Sequence, residues 1–172
     1  MANSDELLKG NPGDLWDSGK VASDQSIQVE YAGKPLESRM VCRWQVRVWD
    51  KDGKAAAWSK PATFEMGLLE PDAWKAKWIG MDGPDAKRGS PLLRKEVAIT
   101  GKVKRARVYV SGLGWSELYI NGKKVSDDVL SPGLTDYSQE IQYCTYDVTT
   151  LLKQGSNAIG MMLGNGWFSV PT

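Results

Sequence analysis

Hydrophobic and polar residues alternate along much of the chain, and this two-residue period predicts β-strands rather than helices. The clearest alternating segment spans residues 40–49, where Cys42, Trp44 and Val46 share one face. An Asp-Lys-Asp-Gly turn follows it, and a shorter apolar segment at residues 62–66 is suited to return beside it. We therefore expect an antiparallel pair of strands in the first half of the chain.

The rest of the first half is patterned more weakly. Residues 26–31 predict one further strand, whereas residues 1–20 are polar and predict no regular element. Because three strands make a poor domain, we expect residues 1–67 to form only part of a β-sandwich. Residues 68–90 contain two Pro-bearing segments around two Trp residues, and we interpret them as a linker.

The second half predicts a more regular β domain over residues 91–172. Asn121-Gly122 stands between two alternating segments and is the strongest short signal for a hairpin, since both residues accept positive φ. Residues 148–154 form the one helix-like piece. The predicted strands cover residues 92–97, 104–110, 116–120, 141–147 and 157–163. The fold class is thus all-β, with two small sandwich domains.

Composition excludes several classes of function. The 172 residues include no His, eight Trp and two Cys, and the formal net charge is +1. Without His there is no Ser-His-Asp or Cys-His nucleophile. A near-neutral chain lacks the basic footprint of a nucleic-acid binder, and no apolar stretch approaches the roughly 20 residues that span a bilayer. The first residues contain no apolar signal segment. We therefore expect neither nucleic acid nor membrane as a partner.

Two groups of residues could carry chemistry. Asp127 and Asp128 are adjacent in a predicted loop, where they either face solvent or share a calcium ion that relieves their repulsion. Trp115 and Trp167 each follow a Gly-rich segment at the end of a strand. Such a Trp can stack on a sugar ring or close the end of a core. The residues alone leave both alternatives open.

Several motifs, taken in order, resemble the N-terminal, non-catalytic region of bacterial α-L-rhamnosidases. They are LWDSGKV at residues 15–21, WQVRVWD at 44–50, ELYINGKKV at 117–125 and GNGWF at 164–168. The resemblance implies a partial fibronectin-III-like (Ig-like) sandwich followed by a partial jelly-roll-like sandwich, both truncated. It implies an accessory, non-catalytic fragment that supports an absent (α/α)6 catalytic domain, with no catalytic residue in this chain. The parent would be an inverting glycoside hydrolase that releases terminal L-rhamnose, acting in the periplasm or outside the cell.

The resemblance also suggests a second function. In some family members the second module is similar to a calcium-dependent rhamnose-binding module. Here Asp127, Asp128 and Asn165 are the candidate calcium ligands, and Trp115 and Trp167 are the candidate contacts to a rhamnose-containing glycan. A free-standing surface β-module is a further alternative. Incomplete sandwiches leave strand edges open, so we also expect pairing between two copies.

Overall fold

The computed structural model describes residues 1–10, 13–81 and 90–169. The chain divides into two compact units, Met1–Ala76 and Lys77–Thr172. Nearly all of the regular structure consists of antiparallel strands, which confirms the all-β prediction. Residues 82–89 of the predicted linker and residues 170–172 of the predicted second domain lie outside the described residues.

The first unit contains a short helix, α1 (Asp5–Lys9), and two paired strands, β1 (Val41–Trp44) and β2 (Ala62–Glu65). A one-turn 3₁₀ helix, Pro71–Ala73, follows them. The Ser4 side chain caps α1 by accepting the backbone N–H of Leu7 at 3.2 Å. Sequence patterning missed α1 because five residues are too few to show a helical period.

The predicted strand over residues 40–49 is regular only in its first half. Beyond β1 the chain continues as an irregular hairpin, in which the carbonyls of Val46 and Val48 accept the N–H groups of Ser59 and Ala56. The N–H of Val46 instead donates to the Ser59 side chain at 3.1 Å. A side chain thus replaces part of the ladder, and the regular strand ends at Trp44.

The predicted strand at residues 26–31 is wrong. Gln28 adopts φ +55°, a left-handed conformation that no strand contains. The Gln25 amide donates to the carbonyls of Ile27 and Gln28, both at 3.0 Å, so the segment turns on itself. Ile27 and Val29 remain exposed. The alternation of apolar and polar residues in this segment therefore does not correspond to a paired strand.

The core of the first unit is small and open on one side. Its buried apolar residues, within the described ranges, are Ala2, Leu8, Leu15 and Cys42. By contrast, Trp44, Val46, Val48 and Phe64 are each more than a third exposed. The alternating face of β1 is therefore covered at Cys42 and uncovered beyond it.

The second unit is built from two antiparallel sheets. The larger has the order β3-β8-β5-β6, and the smaller pairs β4 with β7. The strands are β3 (Leu92–Ile99), β4 (Arg107–Val110), β5 (Trp115–Ile120), β6 (Lys123–Lys124), β7 (Cys144–Asp147) and β8 (Gly155–Gly164). Leu118, Ile120 and Val148 are the buried apolar residues among those described in this unit.

The predicted Asn-Gly hairpin is confirmed. Asn121 and Gly122 have φ values of +51° and +81°, and Ile120 pairs with Lys123 across them. Both residues therefore occupy the left-handed region that a two-residue hairpin turn requires. This turn fixes the register of β5 and β6.

The predicted helix-like piece at residues 148–154 is a single hydrogen-bonded turn and not a regular helix. The chain makes a turn there, in which the carbonyl of Val148 accepts the N–H groups of Leu151 and Leu152 at 3.0 and 3.2 Å. The N–H of Lys153 then donates to the Asn157 side chain at 2.9 Å. Because a side chain takes this donor, the chain leaves the turn and enters β8.

Candidate functional site

The loop after β6 holds Asp127 and Asp128 in exposed positions near polar groups of the chain. Oδ2 of Asp128 accepts the Tyr146 hydroxyl at 2.9 Å, and the N–H of Asp128 donates to the Ser126 side chain at 3.0 Å. The pKa of Lys124 is raised mainly by its hydrogen bond to Glu117, and the negative charge of Asp127 adds to that effect. Asp128 is therefore held by a hydrogen bond within the chain, and Asp127 lies near enough to Lys124 for the two charges to interact.

Next to these carboxylates lies a charged cluster that sequence patterning did not single out. Glu117 accepts Lys124 at 2.6 Å and the Tyr119 hydroxyl at 2.8 Å. The hydrogen bond from Lys124, followed by that from Tyr119, lowers the pKa of Glu117. The cavity between Glu117, Lys124 and Asp128 has a volume of about 10 Å³, which is room for roughly one water molecule. A sugar ring does not fit there.

Behind Asp128, Tyr146 joins the loop to β7. Burial, followed by hydrogen bonds to Cys144 and Asp128, raises the pKa of the Tyr146 hydroxyl. Ser131 Oγ lies 3.0 Å from Cys144 Sγ. In the described part of the chain, no group of three or more His, Cys, Asp or Glu side chains is placed to hold a metal ion. The assignment of calcium to Asp127, Asp128 and Asn165 stays a prediction.

Trp115 and Asn165 lie at the same end of the larger sheet. Trp115 begins β5 opposite Gly164, and 37% of it is exposed. Asn165 follows Gly164 and is exposed, and its carbonyl oxygen lies close to Gly114. Among the described residues, no hydrogen bond or ion pair joins this rim to Asp127 or Asp128. Trp167 falls in the 3₁₀ turn Gly166–Ser169, and its side chain lies outside the described part of the structure.

The first unit contains a groove of about 830 Å³. Its aromatic lining consists of Trp16, Tyr31, Trp44, Trp49, Trp58 and Phe64. Trp16 and Tyr31 pack edge to face, with ring centroids 5.4 Å apart. Of the eight Trp residues in the chain, four therefore line this one surface, which we call the aromatic groove.

Arg47 lies within the aromatic groove between two indole rings. Its guanidinium carbon is 4.9 Å from the Trp49 ring centroid and 4.6 Å from that of Trp58. Cation–π attraction at such distances stabilises the stack by about 1 kcal/mol or more per ring when solvent is excluded. The two-residue spacing of Arg47 and Trp49 was the available sequence signal, but the position of Trp58 depends on the hairpin.

Among the described residues, none of the helices is long and apolar enough to cross a membrane.

Two family descriptions match the chain. Residues 3–70 match the Rha78A-like, N-terminal immunoglobulin domain, and residues 101–172 match the alpha-L-rhamnosidase N-terminal domain. An α-L-rhamnosidase from Formosa agariphila is 44% identical over 180 residues, which cover 98% of this chain and 19% of that protein. One from Alteromonas sp. is 39% identical over 178 residues, again covering 98% of this chain and 19% of that protein.

Solved structures agree with these matches. The α-L-rhamnosidase from Dictyoglumus thermophilum has a TM-score of 0.90 and 42% identity, covering 96% of this chain and 20% of that one. The enzyme from Aspergillus terreus has a TM-score of 0.76 and 40% identity, covering 85% of this chain and 18% of that one. The chain spans about a fifth of the length of these relatives. It therefore belongs to the α-L-rhamnosidase family, as the motifs indicate, and corresponds to an N-terminal, non-catalytic portion of those enzymes.

Proposed function

We propose that this chain is the accessory region of an α-L-rhamnosidase, and that it supports the domain that hydrolyses terminal L-rhamnosides. The observation that carries the proposal is the similarity to the Dictyoglumus thermophilum enzyme, at a TM-score of 0.90 over 96% of this chain but only 20% of that protein. The whole described architecture thus has a counterpart inside a much larger enzyme of this family.

The chemistry of the described residues agrees with a supporting role. An inverting glycosidase holds two carboxyl groups roughly 6.5–9.5 Å apart across a space that admits a sugar and a water. Here Asp128 is hydrogen-bonded to Tyr146, Glu117 is paired with Lys124, and the cavity between them has room for about one water. Both acids are thus engaged with neighbouring side chains of the second unit, and the cavity between them leaves no space for a glycoside.

A replacement experiment tests the supporting role. In the 44% identical Formosa agariphila relative, the matching N-terminal region is deleted in one variant and replaced by this chain in another. We expect the deletion to lose soluble, active enzyme and the replacement to recover both. A deletion variant that keeps the parent's rhamnosidase activity and melting temperature would contradict the proposal.

A second candidate function is sugar binding at the rim formed by Trp115 and Asn165. Trp115 is 37% exposed and pairs with Gly164, which precedes the exposed Asn165, so part of the indole is accessible to a ligand. Calorimetry with L-rhamnose, with and without calcium, tests it. If the rim binds L-rhamnose, we expect a heat of binding that is lost in Trp115→Ala. The matched control Trp78→Ala, at another exposed Trp, should keep that heat. Asp128→Ala should remove only the calcium-dependent part of the heat of binding. A wild-type chain that gives no heat with L-rhamnose would exclude this candidate function.

A further inference from the structure

The Asn121 side chain ties the β5–β6 turn to β8 and to the turn that precedes β8. Its Oδ1 accepts the Ala158 N–H at 3.0 Å, and the Asn121 backbone N–H donates to the Ala158 carbonyl at 2.8 Å. The amide nitrogen of Asn121 donates to the Leu151 carbonyl and to Asn157 Oδ1, both at 2.9 Å. Both amide protons and the amide oxygen are therefore engaged, although Asn121 is exposed to solvent.

An Asn-Gly pair carries a reaction of its own. Because Gly has no side chain, its backbone nitrogen can approach the side-chain carbonyl carbon of the preceding Asn. At Asn121 the Gly122 nitrogen would bond to that carbon, the C–N bond of the amide would break, and ammonia would leave with the proton from the Gly122 nitrogen. Water then opens the cyclic imide at either carbonyl, which gives Asp or its β-linked isomer. The reaction needs only water, but the Asn amide must first be released from its partners.

The chain contains a second Asn-Gly pair, which lacks these hydrogen bonds. Asn165-Gly166 follows β8, and the Asn165 side chain has no hydrogen-bond partner among the described residues. Both Asn121 and Asn165 are exposed, so access of water does not distinguish them. The two pairs share one local chemistry and differ in how the fold holds the amide.

We propose that Asn121-Gly122 is a latent deamidation site, which the folded second unit keeps unreactive and which reacts when that unit opens. In the folded unit the four hydrogen bonds of Asn121 hold its amide away from the Gly122 nitrogen. An opening that breaks these bonds leaves the pair as reactive as in an unfolded chain.

Conversion also prevents the unit from closing again. A carboxylate at position 121 has no proton for the Leu151 carbonyl or for Asn157 Oδ1, so oxygens face one another without a donor. Asn157 cannot turn its amide round to compensate, because its nitrogen already donates to the carbonyls of Lys153 and Gly155 at 2.7 and 3.0 Å. The site therefore turns a temporary opening of the second unit into a lasting one.

Peptide mapping by mass spectrometry tests the latent reactivity. The purified chain is incubated at mildly alkaline pH with and without concentrated urea, and conversion is measured at each Asn-Gly pair. We expect Asn121 to convert at least about tenfold more slowly in the folded chain than in urea, because the reaction waits for local opening. Asn165 should convert at similar rates in both conditions. No protection at Asn121, or equal protection at Asn165, would overturn the proposal.

The product of the reaction is tested directly with Asn121→Asp. We expect this variant to unfold at a lower urea concentration than the wild-type chain, or to fail to fold. The matched control Asn165→Asp makes the same change of charge at an exposed position and should keep the wild-type midpoint. An Asn121→Asp chain with the wild-type midpoint, or an equal loss in Asn165→Asp, would overturn the irreversible step. Because none of these measurements involves a rhamnoside, their outcome does not bear on the proposed accessory role.

Discussion

At the scale of single residues, the second unit depends on one buried amide. Asn157 is 1% exposed, and its side chain accepts the Asn121 amide and the Lys153 N–H, both at 2.9 Å. Its own amide donates to the carbonyls of Lys153 and Gly155 at 2.7 and 3.0 Å. Each of these hydrogen bonds replaces a hydrogen bond to water in the unfolded chain, so its net contribution to stability is modest. A larger loss of stability results when one partner is removed and the other is left buried without a hydrogen bond.

Asn157→Ala should therefore destabilise the second unit strongly. The substitution leaves donors and acceptors buried without partners, and we expect the free energy of unfolding to fall by about 3 kcal/mol. Urea denaturation followed by tryptophan fluorescence measures the loss. The exposed Asn165 serves as the control, because Asn165→Ala should change stability by less than about 0.5 kcal/mol. Equal stability of the two variants would contradict the role of the network.

Asp147 gives a prediction for pH dependence. Hydrogen bonds from the Thr149 side chain and backbone, together with the nearby Arg107, lower the pKa of Asp147 to about 2. The unfolded carboxyl titrates near 3.9. Because the folded pKa is the lower one, Asp147 stabilises the fold above about pH 4, and this contribution disappears as the pH falls toward 2.

An NMR titration of the carboxyl carbons follows Asp147 directly. We expect a midpoint close to 2 for the wild-type chain and a higher midpoint after Thr149→Ala, which removes the largest cause of the shift. A midpoint near the ordinary aspartate value in the wild-type chain would show that these hydrogen bonds do not persist in solution.

At the scale of elements, the β5–β6 hairpin depends on a backbone conformation that Gly tolerates best. Gly122 has φ +81° and nothing within 4 Å of where a Cβ would lie, so substitution there causes strain without a clash. Gly122→Ala should lower the free energy of unfolding, measured by urea denaturation, by about 1 kcal/mol. Gly101→Ala is the matched control, since Gly101 is equally open and has no positive φ. A smaller loss for Gly122→Ala than for Gly101→Ala would contradict this account of the turn.

Some elements of the fold could be predicted from the sequence and others could not. The Asn121-Gly122 hairpin was predictable because two adjacent residues determine it. Residues 26–31 alternate equally well, yet Gln28 turns the chain and no strand forms. The pairing of β4 with β7 joins segments that are more than 30 residues apart, and no local pattern specifies it. The sequence can therefore predict a turn that two adjacent residues determine. It cannot predict which distant strands pair, because that depends on which apolar faces the rest of the fold covers.

The same limit applies to the candidate sites. The sequence indicated only that Trp115 and Asn165 lie by Gly-rich segments near strand ends, and the structure places both at one rim. It could not indicate that Tyr146 would reach Asp128, since the two residues are 18 positions apart and a long loop lies between them. Nor could it place Trp58 over Arg47, because that contact needs the folded hairpin.

At the scale of the whole molecule, the two units differ in how well they are closed. The second unit buries Ile120 and Asn157, which belong to strands of its larger sheet, almost completely. The first leaves the apolar face of β1 and the aromatic groove uncovered. An accessory region that works within a larger assembly can keep such surface, because a neighbouring element covers it there.

We propose that this chain is part of an α-L-rhamnosidase and performs no hydrolysis itself. The most direct test is an assay of the purified, folded chain with an aryl α-L-rhamnoside, measuring release of the chromogenic alcohol over a range of pH. We expect release at the rate of the buffer blank. Release that scales with the amount of chain, and that persists through repeated purification, would contradict it.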